Sequence, residues 1–231
     1  MSAGADRIPE HAQERTRQAS RVSSVEGGSA TVLHERPMGS SGRPLRAGRR
    51  VSLWPLRQSN CYALARSLDD QEVRELWRTR GRYWVVEQFE ARVARDAAAA
   101  AVGVVGREAD GELVGLCELL DPDLLDQRAH LSVLTTPRFV GTGLGIEMAL
   151  LFLEFVFAAF PLQKIALEVN SDNWRVVRGL RRVARYEGRL TRHLNINGVW
   201  HDVDLFAVFK DDMQRLQRIA GVDRNAEVSR G

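Results

Sequence analysis

The chain has 231 residues, 44% of them hydrophobic, which is enough to bury one core of ordinary size. Its formal net charge of +3 is unevenly placed: residues 1–50 carry nine Arg against five acidic residues, while the other 24 basic and 25 acidic residues nearly cancel, so basicity belongs to a tail and not to the body. Two isolated cysteines, Cys61 and Cys117, exclude a disulfide framework and a thiolate metal site; with no readable signal peptide at the N-terminus, the expected home is a reducing cytoplasm.

Residues 1–48 are rich in Ser, Gly, Ala, Arg and Glu without regular apolar spacing, so a flexible arm is expected, either a solvated extension or a ligand for an acidic partner. The folded body, residues 49–210, should open on a short strand at Val51, Leu53 and Leu56. Helices over residues 59–67 and 84–97 follow, with a loop between them holding Trp77, Tyr83 and Trp84. Residues 100–107 and 113–120 read as a hairpin around Ala109-Asp110-Gly111, whose Asp-Gly is a turn signal. Asp121-Pro122-Asp123 punctuates the next connection, and residues 128–136 make another strand. Gly141, Gly143 and Gly145 then lead into an apolar run that ends at Phe160, carries Glu147 and Glu154, and is too short for a bilayer, so a buried core helix is expected and no membrane span. Residues 163–169 alternate as a strand and run into Asn170-Ser171-Asp172-Asn173, which are good helix caps. From residue 174 to about 184, Val176, Val177, Leu180 and Val183 share one helical face, and Arg175, Arg178, Arg182 and Arg185 line another. A last hairpin, residues 189–196 and 200–209, closes on Asn197-Gly198, and residues 211–231 form a polar helix and tail. This order describes an α/β fold with a mixed, mostly antiparallel sheet and helices on its faces.

A glycine-rich turn between strand and helix exposes backbone N–H groups at the positive end of the helix, so a pyrophosphate can lie against it without any cationic side chain. Gly141-Thr142-Gly143-Leu144-Gly145 contains no Lys, which excludes a P-loop, and it follows a meander where a dinucleotide fingerprint would open a βαβ unit. The stretch resembles the coenzyme A loop of the GNAT superfamily of N-acyltransferases, and over about residues 51–210 the order of elements is similar to theirs. The family's Gln/Arg-x-x-Gly-x-Gly/Ala fits in two registers. One starts at Arg138 and satisfies the letters; the other starts at Val140, is favoured by Pro137, Phe139 and Glu147 around it, and lacks the leading Arg or Gln.

The resemblance implies a GNAT-like mixed, mostly antiparallel sheet with helices on both faces, and acetyl-CoA or another acyl-CoA as cosubstrate. Its implied contacts are Arg138, Val140, Gly141, Thr142, Gly143, Leu144 and Gly145 in the loop, the main chain of Val133, Leu134 and Thr135 on a strand that splays from its neighbour, and Asn173 near the pantetheine arm. Glu187-Gly188 resembles the branch that acetylates ribosomal-protein and other N-terminal amines. The chain departs from the family three and seven residues after Asn173, where Val176 and Leu180 replace a common Ser and a Tyr that serves as acid for the leaving thiolate, and Ala184-Arg185 replaces Gly-Phe.

A primary amine attacking a thioester needs a base for the ammonium proton and a donor for the oxyanion. Glu118 is the first candidate base, on a strand face with Val114, Leu116 and Leu120 where desolvation raises a carboxyl pKa; the alternative is a Glu paired with arginines at the sheet's edge. His130, on the adjacent strand, is the second, against a structural role. Asp121, His201 and Asp202 stay in reserve, Glu147 complements the helix dipole, and Cys117 reads as a small buried side chain. The arginine ridge is a solvated face, a holder of coenzyme phosphates, or a landing surface for tRNA or an acidic carrier protein. The expected activity moves an acyl group, acetyl in the first place, from acyl-CoA to a primary amine of a small molecule or protein, in a monomer or homodimer. The rivals are an aminoacyl-tRNA or carrier-protein donor on the same fold, and a coenzyme- or partner-binding domain without turnover.

Overall fold

Among the described residues eight strands form one sheet: β1 (Arg46–Ala47), β2 (Val51–Pro55), β3 (Val102–Glu108), β4 (Leu113–Asp123), β5 (Arg128–Thr135), β6 (Lys164–Asn170), β7 (Arg185–Ile196) and β8 (Val199–Phe209). Their order is β1-β2-β3-β4-β5-β6-β8-β7, antiparallel throughout except for β5 against β6. The helices are α1 (Gln58–Arg66), α2 (Gln71–Leu76), α3 (Val86–Ala98), α4 (Leu144–Ala159), α5 (Trp174–Val183) and α6 (Met213–Ile219). The computed structural model describes residues 43–98, 102–108 and 110–219; the arm expected over residues 1–48 falls largely outside them, but its end, Arg46–Ala47, is a strand bonded to β2. Among the described residues no helix is long and apolar enough to cross a membrane.

Helix α4 is apolar nearly all round because it is buried nearly all round, with Leu144, Met148, Leu151, Phe152 and Val156 at the centre of the larger core. It stops at Phe160, which is extended, as the residue before a proline prefers to be. Val104, Cys117, Leu119 and Leu131 meet it from the first part of the sheet, and Ile165 and Val208 from the second, so one helix ties both parts together. On the opposite face α1, the turn at Ser67–Asp69 and α3 lay Cys61, Leu64, Leu68 and Phe89 on Val105, Leu116 and Leu134.

Four features differ from the sequence reading. The expected loop after α1 contains α2, capped by Asp70, whose carboxylate accepts the Val73 N–H at 3.0 Å. Asp121-Pro122-Asp123 does not end its strand: the ladder slips between Leu120 and Asp123, Asp121 takes φ 48°, and the turn moves to residues 124–127. β7 begins at Arg185, directly after α5. Finally, Gly106 faces Gly115 while Arg107 faces Leu113, which makes Val114 an extra residue in β4. The bulge turns Val114 to the α4 core and leaves Leu116 and Glu118 on the other face, so Val114 does not share a face with Glu118 as simple alternation predicts.

The bulge also brings strands β4 and β5 unusually close, since a Cβ on Gly115 would stand 2.0 Å from the Leu134 carbonyl oxygen. Gly115→Ala is therefore expected to cost about 2 kcal/mol or more by forcing the backbone apart. Gly179→Ala, in α5 with nothing within 4 Å of the added methyl, is expected to be neutral or to stabilise by about 0.5–1 kcal/mol. Urea midpoints of the two variants check both signs.

Candidate active site

Strands β5 and β6 are paired only at Arg128 with Lys164, Ala129 with Ile165 and His130 with Ala166. Beyond that point β5 stays with β4 to Thr135 and β6 stays with β8 to Asn170, so the two parallel strands part and leave an opening between them. Thr136 donates its N–H to the Val114 carbonyl at 2.9 Å, and the Leu134 carbonyl points at Gly115. Ladder alternation then turns the main chain of Val133 and Thr135 away from β4, into the opening. Of the expected strand contacts, Val133 and Thr135 thus face the opening, whereas Leu134 gives its main chain to β4 and buries its side chain.

The glycine loop lies at the open end of β5. After a tight turn at Pro137–Phe139, Gly141 and Gly143 adopt φ of 80° and 84°, a left-handed backbone that glycine takes without steric cost. Thr142 donates its hydroxyl to the Phe139 carbonyl at 2.8 Å and accepts the Leu144 N–H at 3.3 Å. Among the described residues the amides of Gly141, Gly143, Gly145 and Ile146 find no acceptor, and they cluster at the positive end of α4. Gly145 lets this first turn rest on Thr135, whose Oγ1 would be 2.4 Å from an added Cβ. Val140, Gly141 and Thr142 are exposed, Leu144 is buried in the core, and Arg138 is ion-paired with Glu112 and stacked on Phe139. Asn173 caps α5 by accepting the Val176 N–H at 3.4 Å. Glu147 is buried and does more than complement the helix dipole: it accepts the N–H groups of Arg50 and Val51 at 2.7 and 3.3 Å and the Arg50 Nε at 3.0 Å.

On the face of α1 and α3, Glu118 is 3% exposed and sits in a cluster of charge. Arg92 and Arg78 reach its Oε1 at 2.9 and 3.2 Å, and both also bind Asp96. Burial pushes the Glu118 carboxyl up to about 7, against the pull of Arg78. Arg92 lies over the rings of Trp77 and Trp84 at 5.5 and 5.4 Å, and Trp77 Nε1 donates to Ser132 Oγ at 3.1 Å, directly across the ladder from Glu118. Glu118 is thus both desolvated and paired with arginines, deep in the sheet and not at its edge. His130 stands where the strands part, partly exposed, with Nδ1 4.0 Å from Asp121.

A cleft of about 490 Å³ at the end of β6 is lined by Ser171, Asp172, Arg189, Val199, Trp200, His201 and Asp202. Within it His201 Nδ1 is 2.5 Å from Asp172, and the indole of Trp200 is exposed. Helix α2 meets the β7–β8 turn and α5, where Asn197 donates to Glu75 at 3.3 Å and Arg175 reaches Glu72 at 3.5 Å. The arginine ridge is half paired: Arg175 reaches Glu72 and Arg185 binds Asp212, while the nearby Arg181 and Arg189 turn to buried Asp204. Among the described residues only Arg178 and Arg182 of the four ridge residues lack an acidic partner. Cys117 is buried, and burial pushes its thiol well above the ordinary range.

Sequence reasoning missed Arg50, Arg78, Arg92, Trp77 and Ser132. The Arg92–Asp96 spacing of four on an amphipathic helix was a usable signal. Arg50 and Glu147 are 97 residues apart, and nothing local links them.

The sequence model of the acetyltransferase (GNAT) domain family matches residues 50–184. Spermidine N(1)-acetyltransferase of Escherichia coli strain K12 is 29% identical over 104 residues, 45% of this chain and 56% of that protein, so the chain spans about half the length of the curated relatives it matches. Among solved structures, a spermidine N-acetyltransferase from Vibrio cholerae in complex with CoA and spermine superposes with a TM-score of 0.66 at 20% identity, over 71% of this chain and 98% of that one. A GCN5-related N-acetyltransferase from Brucella melitensis gives 0.63 at 19% identity, over 78% and 85%. At these identities the structural likeness is one of fold.

The Glu118 environment has a consequence for stability. Its ordinary value of 4.5 is raised to about 7 by folding, so between these limits the folded state holds a proton that the unfolded state has released. Stability is expected to fall as pH rises through that window and to level off above it. Denaturation at a series of pH values checks this, and Glu118→Gln should remove the slope.

Proposed function

The chain belongs to the GNAT acetyltransferase family, and on that premise we propose that it transfers an acetyl group from acetyl-CoA to a primary amine of a small cationic molecule, with polyamines as the favoured class. The observation that carries the proposal is the parting of β5 from β6 beside a loop of unbonded amides. One groove thereby offers main-chain partners for an amide-bearing arm and ends in a cradle for its diphosphate. Bound acetyl-CoA would supply the thioester carbonyl that the amine attacks. The N–H group of Val133, facing the opening, would stabilise the developing oxyanion.

His130 takes the ammonium proton in this reading, because it stands at the point of divergence with part of its ring open to solvent. Glu118 is a positioning residue: its ion pairs hold Arg92 under the two tryptophans, and its strand partner Ser132 receives the Trp77 N–H. Leu180 stands where many relatives place an acid for the leaving group; a thiolate leaves without one, and such help is worth only about 10²–10⁴-fold.

The cleft at the end of β6 supports a cationic acceptor. Asp172 and Asp202 supply carboxylates and Trp200 an exposed ring face, which together suit an alkylammonium chain. The E. coli relative's name, a spermidine N(1)-acetyltransferase, supports the same class.

Thiol release from acetyl-CoA in the presence of spermidine, spermine, simple monoamines and peptides with free N-termini tests the assignment. Turnover is expected with the polyamines first. His130→Gln should lower kcat by about 100-fold or more with little change in the KM for acetyl-CoA. Coenzyme binding without thiol release on any amine would overturn the enzymatic reading and leave a binding domain.

A further inference from the structure

We propose that Arg50 is a coenzyme-binding residue, whose guanidinium, clamped by Glu147 at the start of α4, holds a phosphoryl group at the glycine loop. The inference rests on coenzyme binding as proposed above and names a residue outside the loop for it.

Three observations carry it. Glu147 is a buried carboxylate in the first turns of the same helix whose amides point into the loop, 4% exposed, and its charge opposes any anion placed there. Arg50 cancels that charge through Nε at 3.0 Å, while its own main-chain N–H at 2.7 Å fixes where the side chain starts. This contact uses only the Nε edge of the guanidinium. Among the described residues the two Nη nitrogens find no acceptor, and Nη2 lies 3.6 Å from where a Cβ on Gly143 would stand. The free end of a planar donor fork thus borders the unbonded Gly143 amide, with the Arg50 side chain half exposed.

The loop's own cation, Arg138, is turned to Glu112 and the Phe139 ring. Val140 stands where the favoured register would have Arg or Gln. Arg50 supplies from the β1–β2 turn the side-chain contact that the loop lacks, and Glu147 restricts its rotamers before the ligand arrives, so little side-chain entropy is lost on binding.

Binding of CoA, 3′-dephospho-CoA and pantetheine to the full chain, wild type, Arg50→Met and Arg50→Lys, tests this by calorimetry and, for weak ligands, by chemical-shift titration. Arg50→Met is expected to weaken CoA by about tenfold or more, the loss of one charged hydrogen-bonded contact, and to leave pantetheine unchanged. Arg50→Lys keeps a charge beside Glu147 without the fork and should fall between, so the comparison survives if the Met variant folds poorly. An equal loss with 3′-dephospho-CoA assigns the diphosphate, and disappearance of the loss assigns the 3′-phosphate; both support the proposal. Unchanged CoA affinity in both variants overturns it, as does an equal loss of CoA and pantetheine, which marks a structural role. A wild type that binds no CoA overturns the proposed function itself, an outcome distinct from either.

Discussion

The candidate site depends on two parallel strands that separate after three paired residues. Unbonded backbone N–H and C=O groups are costly unless something meets them, so an opening of this kind persists only where the flanking structure imposes it. Here each strand is fully engaged on its other side, β5 with β4 and β6 with β8. Helix α4 fixes the two parts from below through a core that includes Leu119 and Leu131 from one and Ile165 and Val208 from the other. The same helix starts at the open end of β5, because Gly145 allows its first turn to rest on Thr135. Groove and cradle are consequences of one packing arrangement.

The buried charges follow a common pattern. Glu118 and Glu147 are both under 5% exposed, and each is met by arginine from a distant segment. An apolar replacement for such a pair would often be at least as stable, so its presence is weak evidence for stability. What the two clusters do is place side chains: Arg92 beneath Trp77 and Trp84 on one face, and the free edge of Arg50 beside the glycine loop on the other.

Much of the fold was readable because its signals are local. Asp-Gly and Asn-Gly turns, a glycine loop ahead of an apolar run, and Asn173 as a cap each state their conformation within a few residues. The misses have physical causes of two kinds. Helix α2 is six residues long with none of them buried, too short and polar for periodicity to register. The bulge at Val114 shifts a strand by one residue, and alternation cannot reveal such a shift, yet it decides that Glu118 faces α3 without Val114. The candidate site was readable to the extent that it is made of backbone. Its side-chain partners come from contacts such as Arg50 with Glu147 and Trp77 with Ser132, the second 55 residues apart, which only the folded chain brings together.

Amide hydrogen exchange with and without CoA tests the central claim most directly, because the proposed contacts are main-chain N–H groups. The account predicts new protection at Val133 and Thr135 along the opening and at Gly143, Gly145 and Ile146 in the loop, with pantetheine alone protecting only the first pair. Protection confined to other segments, or none at these five amides when CoA is bound, would contradict it.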